Sequence, residues 1–114
     1  MLKLSESQIQ GQCVSWFRYH FPQYIIFAVP NEAAYKRSSY FSSLGMLNGA
    51  SDTVIVLPNK VLFVEFKAAK GKQRPEQKIF EEKVTALGFP YSIVRSLEEF
   101  KQLIYDAIGF NQTV

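Results

Sequence analysis

The sequence is poor in the residues that most metal and redox chemistry needs. It has one cysteine, Cys13, and one histidine, His20. A single thiol excludes an internal disulfide and a cysteine-based zinc centre. A single imidazole argues against a His-rich metal site and a Ser-His-Asp triad. Cys13 reads as a small core residue, and His20 as a half-covered side chain at a helix end. No apolar run reaches the roughly 20 residues that span a bilayer. The start, MLKLSESQIQ, lacks the apolar core of a signal peptide, so a reducing, cytoplasmic setting is expected. There are no repeats, low-complexity segments or linkers. The excess of positive charge is small, +3 with a pI of about 9.0. That suits a nucleic-acid partner without requiring one.

What is present is an ordinary globular composition, 47% hydrophobic and 20% charged over 114 residues, which predicts one domain over 1–114 with a core of its own. Ser5 can cap a helix reaching about His20, with Glu6 in its first turn. Ile9, Cys13, Trp16, Phe17 and His20 share one face of it. Tyr24–Val29 reads as a strand, closed by Pro30-Asn31. The stretch from Glu32 to Leu44 has no clean period. Its Lys36 and Arg37 lie among Tyr35, Tyr40 and Phe41, which suits phosphate contact and base stacking or, equally, a surface loop folded back on the core.

Two apolar runs follow, Thr53–Leu57 and Val61–Phe66, joined by Pro58-Asn59-Lys60. Neither alternates with polar residues, which predicts central strands covered on both faces. A basic turn then leads to a helix opening at Pro75. In that helix Ile79, Phe80, Lys83, Val84 and Leu87 are expected to face inward, with Gly88 closing it. Tyr91–Val94 reads as a fourth strand. Ser96 and Glu99 frame a capping box for a last helix, stopped by Gly109. The fold class is α/β (α+β): a small mixed sheet flanked by helices, in the order α-β-β-β-α-β-α.

Three charges border the hairpin: Asp52 before it, Glu65 and Lys67 at its end. Charge beside apolar strands is costly unless paired, hydrogen-bonded or metal-bound. Alternation puts Glu65 and Lys67 on one face. Asp52 depends on the turn. If Pro58-Asn59 is a two-residue turn, Leu57 opposes Lys60 and Asp52 opposes Glu65. A three-residue turn sends Asp52 to the other face. Converging carboxylates would suit Mg²⁺ or Mn²⁺, with the Phe66 carbonyl as a further oxygen. By spacing alone, Glu65 and Lys67 read first as an ion pair at a strand end.

The pattern Asp52, then Glu65-x-Lys67 across a hairpin, resembles the PD-(D/E)XK nuclease superfamily and its restriction-endonuclease-like fold. More narrowly, the chain resembles a stand-alone VRR-NUC (virus-type replication-repair nuclease) domain. The likeness runs through SESQIQ, Pro30-Asn31, Gly45-x3-Gly49-x2-Asp52, Glu65-x-Lys67, Gly71, Gln77, Gly88, Tyr91 and Arg95-Ser96. One departure is Ser51, where the family has a proline before the aspartate. The resemblance implies metal ligation by Asp52 and Glu65 and a catalytic role for Lys67. It implies an active-site support in Gln77, and in Glu6 a carboxylate reaching the metal through water. Taken alone, Gln77 and Glu6 would read as surface polar residues. It further implies a homodimeric, structure-selective DNA endonuclease, resolving Holliday junctions or cutting flaps, forks or nicks, in a bacterial or phage-infected cell. A non-catalytic DNA-binding module is the alternative. Lys36, Arg37, Lys60, Lys70, Lys72, Arg74 and Lys78 are the candidate phosphate contacts.

Overall fold

The computed structural model describes residues 3–30 and 43–109. Its elements are α1 (Glu6–His20), β1 (Ile25–Ala28), β2 (Thr53–Leu57), β3 (Lys60–Phe66), α2 (Pro75–Ala86), β4 (Tyr91–Val94) and α3 (Leu97–Ile108). Order and type follow the expectation. Lys36 and Arg37 lie outside the described residues.

The helix ends obey local chemistry. Ser5 Oγ accepts the Gln8 N–H at 3.1 Å, and Gln8 Oε1 returns the bond to the Ser5 N–H at 2.8 Å, a full capping box. Ser96 Oγ accepts from the Glu99 N–H. The reciprocal bond shifts by one residue, since Glu99 Oε1 accepts from Arg95 N–H rather than Ser96 N–H. Gly109 ends α3 in the left-handed region, at φ 77°.

The four strands lie in the order β1-β2-β3-β4. β1–β2 and β2–β3 are antiparallel and β3–β4 is parallel. Leu57 pairs with Lys60, so the turn takes two residues. Proline holds φ near about −65° at Pro58, and Asn59 takes φ 59°. That combination suits the centre of a type II turn. This register sends Thr53, Ile55 and Leu57 to the same face as Leu62, Val64 and Phe66. That face packs with Ile9, Cys13 and Phe17 of α1 and Phe100 and Ile104 of α3, all buried, to form the core.

The opposite face departs from the expectation of two covered sides. α2 screens only the β3–β4 half, where Phe63 meets Phe80 and Phe89 edge-on. Over β1 and β2, Val54 and Val56 are half-buried and Ile25 and Phe27 are 55% and 46% exposed. Nor does α2 turn as its apolar residues suggest. Ile79, Lys83 and Leu87 are exposed. The inward stripe is Gln77, Phe80, Glu81 and Val84, which keeps helical spacing but draws in two polar side chains with partners in the site below.

Gly49 fixes the approach to that site. It has φ +91°, and a Cβ there would overlap the Glu76 carbonyl at the start of α2. The loop before Asp52 thus lies directly on the helix. Gly49→Ala is expected to cost at least about 1 kcal/mol, read as a lowered urea midpoint at unchanged m-value.

Candidate active site

Asp52 reaches its place from the end of β2. Its backbone carbonyl accepts the Val29 N–H at 2.8 Å, tying it to the end of β1. Its carboxylate accepts the Phe66 N–H at 2.7 Å. An extended residue sends its N–H and C=O to the same side, so the Phe66 carbonyl also faces the Asp52 edge. Thr53 points into the core, and alternation therefore puts Asp52 on the Glu65 face. The register left open by the sequence is the one that lets the carboxylates converge.

Glu65 and Lys67 are buried, 1% and 5% exposed. Lys67 Nζ lies 3.6 Å from Glu65 Oε2. Gln77 Nε2 also donates to Oε2, and the Tyr91 hydroxyl donates to Oε1 at 3.1 Å. Burial raises the Glu65 carboxyl to about 7, and the nearby Asp52 charge adds to it. Burial also raises Asp52, with a contribution from Glu6, against the Phe66 N–H and Lys67, which lower it. Two acids that each resist ionisation beside the other form a site short of positive charge.

Asp52, Lys67 and Gln77 open onto a cleft of about 800 Å³ between α1 and the start of α2; Glu65 is buried against Lys67 and Gln77 and does not line it. Glu6, Gln10 and Arg18 line one wall, and Asp52, Lys67, Arg74 and Gln77 line another. Glu6 itself is exposed. Its carboxylate lies against Gly71, where a Cβ would stand 3.4 Å from Oε2. Among the described residues no three His, Cys, Asp or Glu side chains form a cage. Two carboxylates and a backbone carbonyl nevertheless make a hard oxygen set, and each carboxylate keeps lone pairs beyond those its donors use. An all-oxygen set suits Mg²⁺ or Mn²⁺ better than zinc.

The basic residues divide. Arg74 lines the cleft and approaches Glu76 at 3.8 Å. Lys70, Lys72 and Lys78 are exposed on the adjoining loop and helix. Lys60 is not brought to the site. It lies at the hairpin tip, roughly 20 Å along β3 from Phe66, and donates to the Ala107 carbonyl. His20 is exposed, its Nδ1 3.0 Å from the Trp16 carbonyl of its own helix. Cys13 is fully buried and its thiol is pushed up to about 12, as for an inert packing residue.

Three residues of the site carried no role in the sequence reading. Tyr91 pairs with Phe63 on β3, and only that register sends its hydroxyl toward Glu65. Arg95 donates to the Ala68 carbonyl at 2.7 Å and the Gly71 carbonyl at 2.8 Å, pinning the basic turn after β3. Arg18, bonded to the Ile26 carbonyl, enters the cleft from α1. No local signal separates it from other surface arginines.

The four-stranded mixed sheet with its flanking helices is an architecture shared with solved proteins. One, a VRR_NUC domain protein, superposes with a TM-score of 0.80 at 18% identity, covering 96% of this chain and 93% of its own. A second, a VRR_NUC domain, gives 0.62 at 24% identity, covering 87% and 92%. The fold of this chain is the VRR_NUC fold. No protein-family model and no curated protein matches the sequence.

The raised carboxyls carry a sign. A group whose folded pKa lies above its unfolded value stabilises below the unfolded pKa and loses that contribution as pH rises through the folded one. For Glu65 the window runs from 4.5 to about 7, and Asp52 acts in the same direction. The metal-free protein is therefore expected to lose stability from pH 5 to pH 8. Asp52→Asn, which keeps an acceptor for the Phe66 N–H, is expected to raise Tm in chelator at pH 8, with the gain shrinking at pH 5. Melts at both pH values check this.

Proposed function

We propose that the chain is a Mg²⁺- or Mn²⁺-dependent, structure-selective DNA endonuclease. The convergence of Asp52, Glu65 and Lys67 on one sheet face, with Asp52 and Lys67 opening onto the cleft and both acids raised, carries the reading. The fold shared with VRR_NUC domain proteins supports it. Asp52, Glu65 and the Phe66 carbonyl would hold the cation, with Glu6 reaching it through water. Bound there, such an ion polarises a phosphodiester and stabilises the leaving oxygen.

The protein's own side chains do the rest. Lys67, anchored against Glu65, puts a positive charge where the attacked phosphate becomes more negative, and can orient the incoming water. Gln77 holds Glu65. Water adds to phosphorus, the bond to one sugar oxygen breaks, that oxygen takes up a proton, and the water gives one to solvent. Arg74, Lys70, Lys72 and Lys78 flank the site on one side and would take neighbouring phosphates, which makes binding steeply salt-dependent. Lys36 and Arg37 are proposed to join them.

The reading includes a homodimer acting on four-way junctions. The exposed Ile25 and Phe27 lie on β1, at the edge of the sheet among the described residues, and its pairing or covering by a second copy would remove apolar surface from water. Flap, fork or nick cleavage is the second form of the same activity.

Asp52→Ala, Glu65→Ala and Lys67→Ala are each expected to lower cleavage at least about a hundredfold with DNA binding largely kept, and excess chelator to abolish it. A panel of labelled four-way junctions, flaps, forks and duplexes decides the substrate: symmetric nicks mark junction resolution, and Asp52→Ala cleaving like the wild type would end the proposal. Sedimentation is expected to give a dimer that Phe27→Asp converts to a monomer, with paired junction nicks becoming single ones.

A further inference from the structure

Glu65 is held by donors whose own direction is set by third groups. Tyr91 and Glu65 lie on one sheet face, two residues apart in register. In the ionised form that would hold a cation, the Glu65 carboxylate only accepts, so the phenol must donate to Oε1. The Tyr91 oxygen has a second neighbour, Gln73 Nε2 at 3.3 Å. The same nitrogen lies 3.0 Å from Glu81 Oε1. Glu81 too can only accept, so Gln73 must turn its NH₂ toward it. That NH₂ has two hydrogens, one for Glu81 and one for the Tyr91 oxygen. The Tyr91 hydrogen is thereby directed at Glu65.

The other oxygen of Glu65 meets the same logic. Gln77 Oε1 takes the Arg74 N–H at 2.8 Å at the start of α2. Its amide nitrogen is left to face Glu65 Oε2. Gln73 lies just beyond the Ala68–Gly71 turn that Arg95 pins, so its position is set from β4 as well. The polar stripe that turns α2 inward thus supplies both ends of this network, Gln77 and Glu81.

Resting on the reading of Glu65 as a metal ligand, we infer that Glu81, Gln73 and Tyr91 form a relay of positioning residues. The relay fixes the direction of the hydrogen bond to Glu65 Oε1 and so presents the carboxylate to the cation in one orientation. None of the three touches the metal; each acts through Glu65. Outer hydrogen-bond partners of this kind commonly change metal affinity about 10–100-fold.

The test is Mn²⁺ titration of the full chain without DNA, by calorimetry, beside a thermal melt of each variant. Tyr91→Phe removes the hydroxyl and keeps the ring against Phe80, 6.1 Å away. It is expected to weaken Mn²⁺ binding roughly tenfold. Gln73→Glu combined with Glu81→Gln keeps size and pairing but makes residue 73 an acceptor, which draws the Tyr91 hydrogen away from Glu65. This double variant is expected to weaken Mn²⁺ as much as Tyr91→Phe with Tm kept, which a purely packing role would not produce. Wild-type affinity in both, with the wild type itself binding Mn²⁺, overturns the relay alone. A folded wild type that binds no Mn²⁺ overturns the metal reading and the relay with it.

Discussion

The site depends on two carboxylates brought to one sheet face, Glu65 buried and Asp52 half-buried at the cleft. Asp52 and Glu65 repel each other, and burial raises the cost of ionising either. The chain meets that cost with a backbone N–H on Asp52 and with a lysine, an amide and a phenol around Glu65. These donors come from β3, α2 and β4. The sheet must therefore be in register, and α2 must be rotated to offer Gln77, before the two acids can be tolerated. A buried cluster of this kind costs stability in the metal-free protein.

The architecture was legible because its signals were redundant. α1 combines a cap with an apolar stripe, the β2–β3 hairpin combines apolar runs with a Pro-Asn turn, and α3 combines a cap with a glycine stop. Each element is specified twice, so order and type follow. The face that α2 buries was misread because apolarity alone was counted. Ile79 and Leu87 face outward because rotating them inward would take Gln77 from Glu65 and Glu81 from Gln73. Polar partners outweighed aliphatic burial, and those partners lie at sequence separations that no window sees.

The site was legible in part. Glu65 and Lys67 shared a face by alternation. Asp52 joined them only under a two-residue turn, and Asn59, which tolerates positive φ, was the residue that could have favoured it. Gln77 and Glu6 rested on resemblance. Tyr91 was visible only as a matching position, since its reach to Glu65 depends on a parallel register set by the β3–β4 crossover. Lys60 was legible as a residue of the hairpin connection, and the structure keeps it at that tip, away from Glu65.

The clamp that Arg95 makes on the Ala68 and Gly71 carbonyls has a thermodynamic consequence. A basic segment leaving a strand is usually a loose tether whose ordering has to be met when a ligand binds. Here the guanidinium ties it to the end of the neighbouring strand, so that loss of freedom occurs at folding. The backbone from Ala68 to Gly71, which carries Lys70, is thereby placed before any ligand arrives. On the proposed nucleic-acid reading, a segment ordered at folding would leave less ordering cost to be met at binding.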